Sequence, residues 1–259
     1  MDPIREAVRQ KYAQSALQMS DGSGCCDSGC CGTGAAGSAI GQGEYQASDV
    51  ADLGLSLGVS LGCGNPTALA QLHPGEIVLD LGSGAGLDVL LSARRVSPGG
   101  HAYGVDMTDE MLVLANEHKT KAGAANATFL KGTIDAIPLP DQSVDVVISN
   151  CVINLATDKD AVLAEAFRLL KPGGRLAVSD MVEVEPFAAP VKAALDAWAG
   201  CVAGTIPVDE YRATVERAGF RGTDIEITNT FGPGEAGLPA DGPGKIASAF
   251  IRARKPASA

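Results

Sequence analysis

The stretch Val78-Leu79-Asp80-Leu81-Gly82-Ser83-Gly84-Ala85-Gly86-Leu87-Asp88 reads as a buried strand running into a glycine-rich turn and then a helix. Glycine permits positive φ and close backbone approach, and the amino end of a helix favours a negative group. The pattern therefore suits a nucleotide-type ligand. A dinucleotide fingerprint would read G-x-G-x-x-G, but here the third glycine comes one residue early and Leu87 fills its place, which weakens a nicotinamide reading. Asp106 ends the next strand, twenty residues after Gly86, where an acidic side chain can accept both ribose hydroxyls. Strand, turn, helix and acid together point to a ribose-bearing cofactor. The bland alternative is a tight turn at Gly82 to Gly86 and a solvated strand end at Asp106.

Outward from this stretch, strand and helix signals alternate from Gly75 onward. Strands are expected at Ile77 to Leu81, Ala102 to Val105, Thr128 to Lys131, Val144 to Ser149 and Arg175 to Val178, and helices at Leu87 to Val96, Asp109 to Ala122 and Lys159 to Leu170. Such alternation implies crossover units: an α/β fold with a doubly wound, mostly parallel Rossmann-like sheet. Gly123, Pro98-Gly99-Gly100 and Pro172-Gly173-Gly174 read as helix stops. Ile4, Val8 and Tyr12 recur every four residues, so residues 3 to 17 look like an amphipathic helix lying on the core. Residues 20 to 48 are Gly/Ser-rich and poor in large apolar groups, a stretch not expected to pack. After Asp180, helical patterns at Val191 to Val202 and Val208 to Ala218 precede closing strands at Ile225 to Thr230 and Ala247 to Ala253. The expected organisation is an amino-terminal helix and Cys/Gly-rich substrate-binding segment (1–68), a cofactor-binding core (69–180) and a smaller α+β substrate-covering cap with closing strands (181–259).

Composition narrows the function. The 259 residues can bury a full core. Twenty Lys and Arg against 31 Asp and Glu give a net charge of -11, which argues against a broad phosphate-binding surface and hence against nucleic acid. The charged start Met1 to Arg9 lacks a signal-peptide pattern, and no apolar run approaches the ~20 residues of a membrane helix. A cytoplasmic protein that does not enter the membrane is expected, with its thiols reduced. Seven cysteines then suggest ligand or redox chemistry rather than a disulfide framework.

Cys151 stands in Ser149-Asn150-Cys151-Val152-Ile153-Asn154-Leu155, where the apolar strand gives out. Ligands of doubly wound sheets bind beyond the carboxyl ends of the strands, so this thiol should face a ligand site. Cys63 sits in Leu61-Gly62-Cys63-Gly64-Asn65-Pro66, a loop-like setting, and Cys201 in Trp198-Ala199-Gly200-Cys201-Val202. Cysteine often simply packs in a core, and Cys201 follows Ala194 and Trp198 at helical spacing, so packing competes with ligation for Cys151 and Cys201.

Asp80 to Gly86 followed by Asp106-Met107-Thr108 resembles the S-adenosylmethionine-dependent class I methyltransferases. With Ser149 to Leu155, Gly62 to Pro66 and Cys201 added, the chain resembles the arsenite methyltransferases, with specific motifs from about Gly37 to Asp180. The resemblance implies S-adenosyl-L-methionine as cofactor, its methionine part held at Asp80, Gly82, Ser83, Gly84 and Gly86 and its ribose at Asp106. It implies adenine contacts at Thr133 and Ile134, with Met107 on the other face, and places Asn150 on the cofactor side. It further implies trivalent arsenic on Cys63, Cys151 and Cys201. An amino-terminal cysteine of the family assists capture or is oxidised as the product is reduced, then restored by a thiol reductant of glutathione or thioredoxin type. Four residues, Cys25, Cys26, Cys30 and Cys31, are candidates for that role.

The chemistry is coherent with this. Arsenic(III) is soft and selects thiolates. Its lone pair can attack a methyl group held in line, so the enzyme contributes chiefly proximity and orientation, and no general base is needed. Two other readings stay open at this point: a C- or O-methyltransferase of a small metabolite, since one fold serves many chemistries, and a thiol-based metalloid or zinc binding protein, for which the four amino-terminal cysteines could be ligands.

Overall fold

The computed structural model describes residues 2–20, 45, 50–55, 64–65, 70–186, 204–235, 238 and 244–257. Cys25, Cys26, Cys30, Cys31, Cys63, Cys201 and the helix expected over Val191 to Val202 lie outside the described residues.

Strands β1 (Ile77–Leu81), β2 (His101–Asp106), β3 (Ala127–Lys131), β4 (Val144–Asn150) and β5 (Leu170–Glu185) run parallel. Near-continuous apolar runs such as Val144 to Ile148 suit strands buried on both faces, and Val144, Val146, Val147 and Ile148 are fully buried. Two further strands, β6 (Arg221–Phe231) and β7 (Lys245–Arg254), pair antiparallel with each other, and β7 pairs antiparallel with β5. The order is β3-β2-β1-β4-β5-β7-β6 in one seven-stranded sheet. The boundary expected at Asp180 thus falls inside β5, and the carboxyl-terminal strands extend the core sheet.

Helices α1 (Pro3–Ser20), α2 (Leu87–Arg95), α3 (Asp109–Ala122), α4 (Lys159–Leu169) and α5 (Val208–Arg217) accompany the sheet. Their ends follow local chemistry. Gly123 closes α3 in the left-handed region at φ 62, donating to the carbonyls of Lys119 and Thr120. Asp158 caps α4 by accepting from the Ala161 N–H at 2.9 Å. Helix α1 runs three residues beyond the expected end at 17, and Ala16 packs with Ala85, Met111 and Leu114.

Two departures from the sequence reading have clear causes. Strand β5 starts at Leu170, so Pro172-Gly173-Gly174 lies within it at a shift of register against β4. The Gly173 N–H donates to the Lys255 carbonyl and the Lys255 N–H to Gly174, so residues beyond β7 hold this irregular start. Tyr45, in the stretch not expected to pack, is buried and clusters with Val50, Leu53, Leu87, Leu90 and Leu91 over one face of the sheet.

Candidate active site

Strand order reverses between β1 and β4, leaving a crevice at their carboxyl ends where ligands of such sheets bind. A cavity of about 1160 Å³, counting its open mouth, occupies that place. Its lining includes Asp80, Gly82, Ser83, Gly84, Asp106, Met107, Thr133, Ile134 and Asn150, so nine of the residues expected on the cofactor side come together. Gly86 lies outside the lining and serves the architecture. It precedes α2 at φ 92, and a Cβ there would stand 2.6 Å from the Phe129 ring.

The turn is built by close approach. Gly82 and Gly84 are left-handed at φ 68 and 50, and a Cβ on Gly82 would meet Val152 at 2.5 Å. A Cβ on Gly84 would have only the Met111 sulfur near it, at 4.0 Å, so this face of the turn stands open. The Gly84 N–H donates to Asp106 Oδ2 at 2.9 Å and the Thr108 N–H to Oδ1 at 2.8 Å, fixing the carboxylate at the end of β2 with acceptor capacity to spare. Among the described residues, Ser83 Oγ is buried without a hydrogen-bond partner. An open glycine turn, an unsatisfied hydroxyl and a carboxylate with lone pairs to spare fit a ribosylated methionine such as S-adenosylmethionine.

The carboxyl groups of Asp80, Asp88 and Asp106 line the cavity. Burial raises Asp80 well above the usual carboxylate range, and the charges of Asp88 and Asp106 push it the same way. Burial also raises Asp106, against backbone N–H groups that favour its charge. Asp88, in the first turn of α2, is pushed up to about 6 by burial while Tyr45 and Asn150 hold it down.

Sequence reading gave Tyr45 no role and did not place α1 at the cavity. Asp2, Arg5, Val8 and Tyr12 roof the cavity. Arg5 pairs with Asp135, and Thr157 donates to Asp2 at 2.7 Å. The periodicity of Ile4, Val8 and Tyr12 predicted the helix but not which surface it covers.

Cys151 follows the last residue of β4 and is buried. Its φ of 59 is left-handed, uncommon for a residue with a Cβ, and its N–H donates to the Ser179 carbonyl at 2.8 Å. Cys151 is disulfide-bonded, which departs from the expectation of reduced thiols; its sulfur must be reduced before it can ligate arsenic. The loop after it is anchored by Asp180, which accepts from the Asn154 N–H and from Tyr211 Oη, both at 3.1 Å, and which burial raises to about 7.

Asn150 joins the two halves of the site. Its Nδ2 stands 2.8 Å from the Gly64 carbonyl, 2.9 Å from Tyr45 Oη and 3.3 Å from Asp88 Oδ2, three acceptors sharing two amide hydrogens, while its Oδ1 accepts from the Gly64 N–H at 3.2 Å. Gly64 is pressed so close that a Cβ on it would overlap Ser179 Oγ at 1.9 Å. The backbone next to Cys63 is thereby clasped to the residue next to Cys151, at the cofactor cavity.

Comparison with known proteins agrees with this geometry. A methyltransferase domain family model matches residues 72–219. An arsenite methyltransferase of Halobacterium salinarum is 44% identical over 271 aligned positions, covering 99% of this chain and 68% of that protein. One of Aquipseudomonas alcaligenes is 41% identical over 61% of this chain, which spans 47% of that relative. The crystal structure of an arsenic(III) S-adenosylmethionine methyltransferase from Chlamydomonas reinhardtii superposes with a TM-score of 0.71 at 32% identity, covering 82% of this chain and 74% of that one. The chain belongs to the arsenite methyltransferase family of S-adenosylmethionine-dependent methyltransferases.

Proposed function

We propose that this chain methylates trivalent arsenic, first arsenite and then methylarsenite, while Cys63, Cys151 and Cys201 hold the arsenic as thiolates, and that it serves arsenic detoxification. The observation that carries this reading is the two-bond clasp between Gly64 and the cavity-lining Asn150, which holds the neighbours of Cys63 and Cys151 together.

Bound there, S-adenosylmethionine supplies an electrophilic methyl group. The chain's residues do the rest by position. Asp106, tied to Gly84 and Thr108, orients the ribose. Asp80 and the open face of the glycine turn take the methionine part, while Thr133, Ile134 and Met107 line the adenine end. Helix α1 closes the roof and limits water entry. Thiolates remove arsenic from water and aim its lone pair at the methyl carbon; the lone pair forms the new As–C bond as the S–CH3 bond breaks. Arsenic leaves this step pentavalent. Its return to the trivalent state takes two electrons, supplied by two thiolates that become a disulfide, and a thiol reductant of glutathione or thioredoxin type restores them. Cys25, Cys26, Cys30 and Cys31 are the candidate thiols for capture or for this redox step, outside the described residues.

The test is to incubate the protein with arsenite, thiol and S-adenosylmethionine and to separate the arsenic species by chromatography. Methylated products are expected from the parent protein, and none from Cys151→Ser or Cys201→Ser. Cys63→Ser should lose arsenite turnover yet keep much of its methylarsenite turnover, because methylarsenite offers two exchangeable positions and arsenite three. Near-normal turnover of both substrates in either Cys151→Ser or Cys201→Ser would refute the three-thiolate site.

A further inference from the structure

Asp88 is the best-held side chain of the cavity that the account above leaves without a task. It is buried, it lines the cavity, and it lies in the first turn of α2, where a negative charge is favoured. Tyr45 Oη shares its hydrogen between both carboxylate oxygens at 2.9 Å, and Asn150 Nδ2 stands 3.3 Å from Oδ2. These donors are a phenol and an amide, both neutral. Arg95 is the least of the influences that favour the charge, and Asp80 adds a second buried carboxylate near by. Among the described residues no three His, Cys, Asp or Glu side chains stand where they could share a metal ion. A buried carboxylate met by neutral donors at the wall of a ligand cavity invites an organic cation.

Its position says which cation. On the reading above, Asp106, at the end of β2, takes the ribose, and Cys151, just past β4 and next to the cavity-lining Asn150, takes the arsenic. Strand β1 lies between those strands. A methyl group passing from the cofactor to arsenic requires the sulfur that carries it to lie between ribose and arsenic. Asp88 touches Asn150, the residue before Cys151, and lines the same cavity as Asp106.

We propose that Asp88, gripped by Tyr45 and Asn150, recognises the positive sulfonium of the methyl donor and thereby distinguishes S-adenosylmethionine from its demethylated thioether product. The proposal rests on the cysteine site described above. The sulfonium contact favours the charged reactant, and the contact weakens once the methyl has left and the sulfur is neutral. Product release is thereby built into the same wall that binds the reactant. Tyr45 and Asn150 are positioning residues, since they act through the carboxylate.

The experiment is titration calorimetry without arsenic, using S-adenosylmethionine and S-adenosylhomocysteine in turn against the parent protein, Asp88→Asn and Tyr45→Phe. Asp88→Asn keeps the shape and removes the charge. It should weaken S-adenosylmethionine by at least about tenfold, the order expected when one partner of a buried charge contact is lost. It should hold S-adenosylhomocysteine within about threefold, a retention that also reports an intact fold. Tyr45→Phe should shift the ratio of the two affinities in the same direction by less. Equal losses for both ligands, or an unchanged affinity for S-adenosylmethionine, would overturn the proposal. With no arsenic in the cell, that failure leaves the cysteine site standing, whereas normal arsenic turnover by Cys151→Ser would remove the cysteine site without touching this measurement.

Discussion

Replacing Asn150 with alanine removes, in one step, two hydrogen bonds to the Gly64 backbone and the shared amide contacts to Tyr45 and Asp88. The Gly64 pair holds the backbone beside Cys63, so its loss should appear on the arsenic side. At about 1 kcal/mol net for each hydrogen bond, the clasp is worth roughly 2 kcal/mol, or about thirtyfold in arsenite kcat/KM. The Asp88 bond is long at 3.3 Å, and Tyr45 keeps its own grip on both carboxylate oxygens, so S-adenosylmethionine affinity should fall much less, by a few-fold. Steady-state arsenite kinetics and cofactor calorimetry on Asn150→Ala separate the two effects. Arsenite kcat/KM within about threefold of the parent would refute the idea that this amide draws the cysteine-bearing segments together. Loss confined to cofactor affinity would assign Asn150 to the cofactor alone.

Other consequences can be checked independently. Asp106→Ala should weaken S-adenosylmethionine by roughly 1.5–3 kcal/mol, the range for hydrogen bonds to a charged group, and calorimetry that finds no change would remove Asp106 as the ribose ligand. Arg5→Ala should cost the cofactor about 1 kcal/mol or less, because the Arg5–Asp135 pair is partly exposed; a loss of several kcal/mol would mean that Arg5 contacts the cofactor directly. Burial raises Asp180 to about 7 from a usual 3.8, so the folded state holds that proton more tightly than the unfolded one. The stability it contributes is full below pH 3.8 and is lost as pH rises through about 7; Asp80 and Asp88 act in the same direction. Melting temperatures between about pH 5 and pH 8 should therefore fall less in Asp180→Asn than in the parent, and an identical slope would contradict the assignment. Cofactor affinity should rise between about pH 5 and pH 7 as Asp88, faced by Tyr45, Asn150, Arg95 and Asp80, gives up its proton, and calorimetry that finds a flat profile would count against it.

How much of this was legible in the sequence depends on the range of the interactions. The run Val78 to Asp88 and the strand ending at Ser149 carry local signals, and they placed the glycine turn and Cys151 at strand ends; that these strands, β1 and β4, are neighbours is seen only in the fold. Gly123 and Asp158 act within one helical turn, so the helix ends they set are local as well. The roles of Tyr45 and Gly64 are not local. Tyr45 meets Asp88 43 residues away, and Gly64 meets Asn150 86 residues away. A Gly/Ser-rich composition cannot reveal that one tyrosine in it is buried against a carboxylate. The start of β5 escapes local reading for a similar reason: Pro172-Gly173-Gly174 reads locally as a break, and pairing of Leu170 with Val144 and of Gly173 and Gly174 with Lys255, beyond β7, keeps it in the sheet. The resemblance of the N-C-V-I-N-L run supplied the expectation, left open by residue chemistry alone, that Cys151 ligates rather than packs.

The most direct measurement is arsenic K-edge X-ray absorption on reduced protein loaded with one equivalent of arsenite and freed of small thiols. The account predicts arsenic surrounded by three sulfur atoms in the parent protein, with a sulfur lost in Cys151→Ser and the cofactor still bound. An oxygen-only shell around arsenic in the parent, or an unchanged sulfur shell in Cys151→Ser, would contradict it.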